Sequence, residues 1–231
     1  MTSSLSLASF YPVAHTVLKP LFPQCLWTGH EQSPAIALTF DDGPHPLHTP
    51  KLLDTLNKHN ILASFFLLGR CVQRSPHIAQ AIHQQGHWIG LHGFDHISFP
   101  KLSPDQLHQE LHSTQISISQ ACQIPPEAII DVRPPNGLFT PKSLSLLHHW
   151  SYRSVMWSVV PEDWVRPGVT VVIDRILQQV KNGSIIVLHD GACGGEDVVQ
   201  IVDELIPRLQ DQGFQFVTIN QLWQQSNFST I

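Results

Sequence analysis

Short apolar runs recur along the chain, each closed by a polar or Gly/Pro turn and followed by a stretch of helical periodicity. The runs are AIALTF (35–40), LASFFLLG (62–69), HWIGLH (87–92), AIIDVR (128–133), YRSVMWSVV (152–160), SIIVLH (184–189) and FQFVTI (214–219). Their length and β-rich content predict strands. Helical patterns lie between them: TPKLLDTLNKHN, SPHIAQAIHQQG, SPDQLHQELHSTQISISQAC, TPKSLSLLHHW, TVVIDRILQQVKNG and VVQIVDELIPRLQDQG. Ser75-Pro76 and Ser103-Pro104 each supply an N-cap followed by proline at the first helical position, and Gly86, Gly183 and Gly213 follow helix ends. Strands alternating with helices imply βαβ units and a parallel sheet, and about seven such units suit a barrel. The expectation is a single α/β domain. The barrel spans 35–223, a Pro- and aromatic-rich irregular lead-in over 1–34 packs on its outside, and 224–231 form a tail.

The polar residues that interrupt this pattern fall at one place in it. Asp41-Asp42, His92, Arg133 and His189 all stand at the C-terminal ends of apolar runs, the end of an α/β barrel at which the βα loops converge. Composition narrows the function classes. Of 231 residues 42% are hydrophobic, enough for a sizeable core. The net charge is −5 with no run of Lys or Arg, which argues against nucleic acid as a partner. Cys25, Cys71, Cys122 and Cys193 are far apart and form no CxxC pair, so no disulfide framework is expected. The start, MTSSLSLASFYPVAHTVLKPLF, lacks a basic n-region and a clean apolar h-region with a cleavage site. No apolar run approaches the ~20 residues that span a bilayer. The expectation is a monomeric cytoplasmic protein, with export by another route left open.

The strand-end residues fit together as hydrolytic chemistry. His92 and His96 form H-G-F-D-H, and on a helix or helical turn the i, i+4 spacing puts both rings on one face. A lone H-x-x-x-H is most often two surface histidines. Here a strand ends at His92 and a carboxylate from another strand end is at hand, and two histidines with one carboxylate make a common open metal site. Successive side chains on an extended chain point opposite ways. One of Asp41 and Asp42 can therefore join the histidines while the other faces the water that a metal activates. Arg133, in VRPPNG, can pair with an acid such as Asp41 and keep it ionised. Pro134, Pro135 and Gly137 would fix the loop that follows, so that a backbone N–H near Asn136 meets a developing oxyanion. A carboxylate at Asp163 beside His189 would keep that histidine protonated as a general acid. Trp164 and Leu188 could wall a small acyl group.

TFDDGP, H-x-x-x-H, RPP-x-G, a D-W pair after a strand and a final V-L-H resemble, in order, the five motifs of the polysaccharide deacetylase family (the NodB-homology, carbohydrate esterase family 4 group). The resemblance runs from about residue 36 to 222. It implies a distorted (β/α)7-type barrel and removal of N- or O-acetyl groups from carbohydrates with a divalent metal, Zn²⁺ or Co²⁺. Carried over by position, it implies Asp41 as general base, Asp42, His92 and His96 as metal ligands, and Arg133 as the residue steadying Asp41. It further implies His189 as general acid tuned by Asp163, with Pro134, Asn136, Trp164 and Leu188 around the substrate. Three positions depart from the usual pattern: Gly93 follows His92 where Ser or Thr is common, Asn136 replaces a frequent aromatic, and Val160 stands where some members carry a further acid. These bear on substrate choice.

The expected function is thus metal-dependent hydrolysis of N-acetyl groups on an amino-sugar glycan, chitooligosaccharide- or peptidoglycan-like. The alternatives are hydrolysis of another amide or an O-acetyl ester (xylan or a small metabolite), or a catalytically silent glycan-binding protein.

Overall fold

The computed structural model of the protein describes residues 7–225. The described residues contain seven strands: β1 Ala35–Asp41, β2 Ser64–Leu67, β3 Trp88–Leu91, β4 Asp131–Val132, β5 Arg153–Ser154, β6 Ile185–His189 and β7 Gln215–Phe216. The helices are α1 Leu7–Leu21, α2 His48–Lys58, α3 Gly69–Arg74, α4 Pro76–Gln84, α5 Pro104–Cys122, α6 Pro141–His149, α7 Val169–Gln179, α8 Gly195–Asp211 and α9 Ile219–Gln225. All strand pairs are parallel, in the order β5-β4-β3-β2-β1-β6, with β7 paired to the start of β1. The sheet curls because the chain leaving β5 crosses to the other edge: Val159 bridges Ile186, and the Ser158 N–H reaches the Ile185 carbonyl at 2.9 Å. Leu26 adds a further parallel bridge to Val155. The result is the expected distorted α/β barrel.

Several elements differ from the sequence expectation. Residues 7–21 form α1 where an irregular lead-in is expected; the Tyr11 hydroxyl donates to the Trp157 carbonyl at 2.9 Å and ties it to the barrel. α3 and α9 are additional, and α9 takes in the first residues of the expected tail; 226–231, like 1–6, lie outside the described residues. β4 and β5 are two residues each. Pro134 and Pro135 follow β4 almost at once, and proline has no N–H to continue a ladder. The Val155 N–H still reaches the Val132 carbonyl, but beyond it the Met156 N–H goes to Leu26 and those of Ser158 and Val159 go to β6 instead.

Period-two alternation sorts each strand into two faces. Ile36, Leu38 and Phe40 of β1, with Ile186 and Leu188 of β6 and Val132 of β4, pack in the large core beneath the helices. Ala35, Ala37 and Ile185 lie in the smaller cluster inside the barrel. The same parity sends Thr39, Asp41, Arg133, Val187 and His189 inward. The barrel interior is therefore mostly apolar at the N-terminal end of the strands, where a buried Asp131 is paired with Arg153, and polar at the other.

Candidate active site

Asp41 is the last residue of β1, and its parity points it into the barrel. Asp42, one residue on, would point at the helices if the strand continued. Its φ of 72° breaks the alternation, a left-handed conformation rare outside glycine and frequent at functional sites. Both carboxylates consequently face one cavity, of about 390 Å³, lined also by His92, His96, Asn136, Trp164 and His189. Two glycines make this bend sterically possible. A Cβ on Gly191 would fall 2.5 Å from Asp42 Cβ, and one on Gly43 would fall 2.5 Å from the Asp190 carboxylate.

His92 leaves β3 on the inward face. His96 follows in a bent loop, not in the helical turn that the i, i+4 spacing suggests. Left-handed Gly93 (φ 81°) and His96 (φ 61°) fold the loop back, bringing the ring centroids to 5.1 Å. Glu110 of α5 accepts the N–H groups of Phe94 and Asp95 at 2.7 and 3.0 Å. The N–H groups of Gly69 and Arg70 in α3 reach the Gly93 and Phe94 carbonyls. The loop is therefore pinned from two helices.

His92 Nε2 and His96 Nε2 lie 3.5 and 3.3 Å from Asp42 Oδ1, and the three donors lie within 4.8 Å of one another. His92 Nδ1 faces the Arg133 carbonyl at 2.8 Å. A carbonyl only accepts, so the proton is on Nδ1 and the Nε2 lone pair is free; such an outer hydrogen bond is the usual means of fixing a ligating imidazole. Burial holds His92 neutral, with its pKa pushed down to about 3. Asp42 Oδ1 is buried without a hydrogen-bond partner among the described residues, an arrangement costly for a carboxylate and relieved by a cation. Two imidazole nitrogens and one carboxylate oxygen suit Zn²⁺ or Co²⁺.

Asp41 is buried and bonded to Arg133, whose guanidinium reaches Asp41 Oδ1 at 2.6 Å, Thr39 Oγ1 at 2.7 Å and the Met156 carbonyl at 3.0 Å. Arg133 is 0% exposed and lies over the Phe66 ring at 4.0 Å. A buried arginine in such a clamp fixes the carboxylate in orientation. The other oxygen, Asp41 Oδ2, stands 3.9 Å from His92 Nε2.

Across the cavity, Asp163 uses both oxygens on His189: Oδ1 meets Nδ1 at 2.9 Å and Oδ2 accepts the backbone N–H at 2.7 Å. Burial alone would lower the His189 pKa. The Asp163 carboxylate, with further pull from Asp41 and Asp42, outweighs it and raises the value to about 9. Trp164 packs edge-on to the imidazole at 5.2 Å.

The expected set thus converges, with two exceptions among the substrate-contacting residues. Leu188 faces the helices by strand parity and belongs to the large core; Val187 lines the cavity in its place, together with Trp157. Pro134 is buried and is not part of the lining. Sequence reasoning also missed Glu110 and Asp190. Burial raises the Asp190 carboxyl to about 7; it accepts the Thr49 hydroxyl and backs the loop after Asp42. The only local signal was an acid and a glycine directly after VLH.

Comparison with known proteins accords with this geometry. The family model described as polysaccharide deacetylase matches residues 28–155, more than half of the chain. A peptidoglycan-N-acetylglucosamine deacetylase of Bacillus cereus is 31% identical over 198 residues, covering 85% of this chain and 91% of the relative. A chitooligosaccharide deacetylase of Bradyrhizobium sp. (strain ANU 289) is 34% identical over 200 residues, covering 81% and 90%. The solved structure of the Bc1960 peptidoglycan N-acetylglucosamine deacetylase superposes with a TM-score of 0.83 at 30% identity, over 88% of this chain and 94% of that one. By sequence and by fold, the chain belongs to the polysaccharide deacetylase family.

Proposed function

We propose that the protein hydrolyses N-acetyl groups on an amino-sugar glycan, with a divalent cation at Asp42, His92 and His96. The observation that carries this reading is a convergence in one cavity. Three metal donors, a carboxylate clamped by Arg133 and a histidine held protonated by Asp163 all meet there. A cation at those donors would supply Lewis-acid activation of water and of the acetyl carbonyl. Asp41 keeps Oδ1 on Arg133 and accepts the proton of the attacking water at Oδ2. His189 gives the proton on Nε2 to the departing amine, while Asp163 on Nδ1 holds the ring in place. The backbone N–H of Asn136, a residue that lines the cavity, would serve the oxyanion. Trp157, Trp164 and Val187 offer an apolar wall to the acetyl methyl. The named activities of the relatives support an N-acetylhexosamine substrate.

The test is acetate release by the purified chain from chitooligosaccharides, peptidoglycan strands and acetylated xylan, before and after chelation and after addition of Zn²⁺ or Co²⁺. The expected result is release from the N-acetylated glycans, lost on chelation and restored by metal. Chelator-resistant release would overturn the metal assignment, and release from xylan alone would make the protein an O-acetyl esterase. Tight glycan binding by metal-loaded protein with no acetate released would make it a silent binding protein.

A further inference from the structure

Arginine pairing across the molecule is uneven. The chain has seven arginines. Five of them, Arg133, Arg153, Arg166, Arg175 and Arg208, each hold a carboxylate within ion-pair distance. Arg70 and Arg74 hold none among the described residues. Both are exposed and lie four residues apart on α3, a spacing that places them on the same face. Gln73 turns the other way, to Ser117 of α5, and Val72 is buried. In a chain of net charge −5 this unneutralised pair is not part of a general basic surface.

Position gives the pair a use. Arg70 and Arg74 border a cavity of about 480 Å³ that Asp42 and His96 also line, and those two residues line the catalytic cavity as well. The two spaces therefore meet at the metal donors. α3 is fixed relative to them, because the Gly69 and Arg70 N–H groups bond the loop between His92 and His96 at 3.1 and 3.3 Å. A guanidinium binds a carboxylate through paired N–H donors, with a geometry that a neutral sugar hydroxyl does not match.

We propose that Arg70 and Arg74 form a subsite for a carboxylate carried by the glycan next to the residue being deacetylated, so that acidic N-acetylated glycans are preferred over neutral ones. The substrate class is an N-acetylated glycan bearing carboxylates on its sugars or on attached peptides. This rests on the deacetylase reading above and sharpens its substrate.

The test compares wild type with the Arg70→Gln/Arg74→Gln and Arg70→Lys/Arg74→Lys double variants, all metal-loaded. Chitopentaose is the neutral probe. Peptidoglycan strands, intact or stripped of stem peptides, are the acidic ones. The expected result is a fall of about tenfold in the ratio of kcat/KM for acidic over neutral substrate in the Gln variant, in keeping with one charge-assisted hydrogen-bond pair. The Lys variant recovers part of it, and the wild-type preference weakens with added salt. Loss of the ratio only with intact strands assigns the carboxylate to the peptide; loss with stripped strands as well assigns it to the sugar. A ratio unchanged by the Gln substitutions overturns the proposal. Calorimetric binding of the same probes separates the two readings. Acidic strands that bind wild type but bind the Gln variant about tenfold more weakly keep the subsite even if no acetate is ever released, whereas equal binding removes it.

Discussion

Asp163→Asn should move the alkaline limit of catalysis down by about two pH units or more. In the wild-type protein the His189 pKa is about 9, held there against burial by the Asp163 carboxylate on Nδ1 and on the backbone N–H. The amide has nearly the same shape but no charge, so the imidazole falls back to its ordinary value near ~6.5 or, with burial unopposed, below it. The protonated fraction then drops about 30-fold at pH 8 and by less than about twofold at pH 6, from the two pKa values alone. A cation at Asp42 cancels part of that residue's pull on His189, so the loaded enzyme's limit lies at or slightly below 9. The assay is kcat/KM for acetate release across pH 5.5 to 9.5 (a range of about four units, chosen to bracket both values) for both proteins, metal-loaded. Stability follows the same sign. A pKa raised by folding contributes stability that is complete below ~6.5 and lost as pH rises through about 9, so the difference in Tm between the two proteins should shrink over that interval. A loss of activity equal at pH 6 and pH 8 would refute the reasoning, since it would make Asp163 a purely steric support.

Two further substitutions test how the metal donors are held. Gly191→Ala places a Cβ 2.5 Å from Asp42 Cβ and 3.0 Å from its carbonyl oxygen; neither can yield cheaply, so metal affinity should fall at least about tenfold. Overpacking of about 1–3 kcal/mol should also lower Tm by several degrees, as read by calorimetry. Glu110→Ala removes the acceptor for the Phe94 and Asp95 N–H groups and should weaken metal binding by about 10–100-fold, while Glu110→Gln, which keeps an acceptor oxygen, restores much of it. Equal metal affinity in Glu110→Ala and wild type would mean that the loop holds His96 without that clamp.

Much of the site was legible because barrel geometry concentrates chemistry where the strands end. Asp41, His92, Arg133 and His189 could be picked out by their place after an apolar run, and strand parity explains why all four face inward. What sequence could not supply was the backbone at single residues. The spacing of His92 and His96 suggests one face of a helix, yet a left-handed glycine and a left-handed histidine bring the rings together in a loop. Asp42 reaches the same cavity as Asp41 only because its φ abandons the strand. Leu188 was expected beside the acyl group, although the same parity that turns His189 inward turns Leu188 out and Val187 in. α1 was hidden by the prolines at its sixth and fourteenth positions, Pro12 and Pro20, which argue locally against a helix. Glu110 sits in the first half of a long helix with nothing beside it in sequence to mark its long-range bond.

The central claim is that adjacent acids divide the work, Asp42 on the cation and Asp41 on the water. Asp41→Asn, prepared metal-loaded, tests it most directly when metal content and acetate release are measured on the same sample. The account predicts one divalent ion per chain, as in wild type, with turnover reduced by at least about 10²–10⁴-fold at every pH. Turnover near the wild-type rate with the ion bound would contradict it and would move the base elsewhere in the cavity.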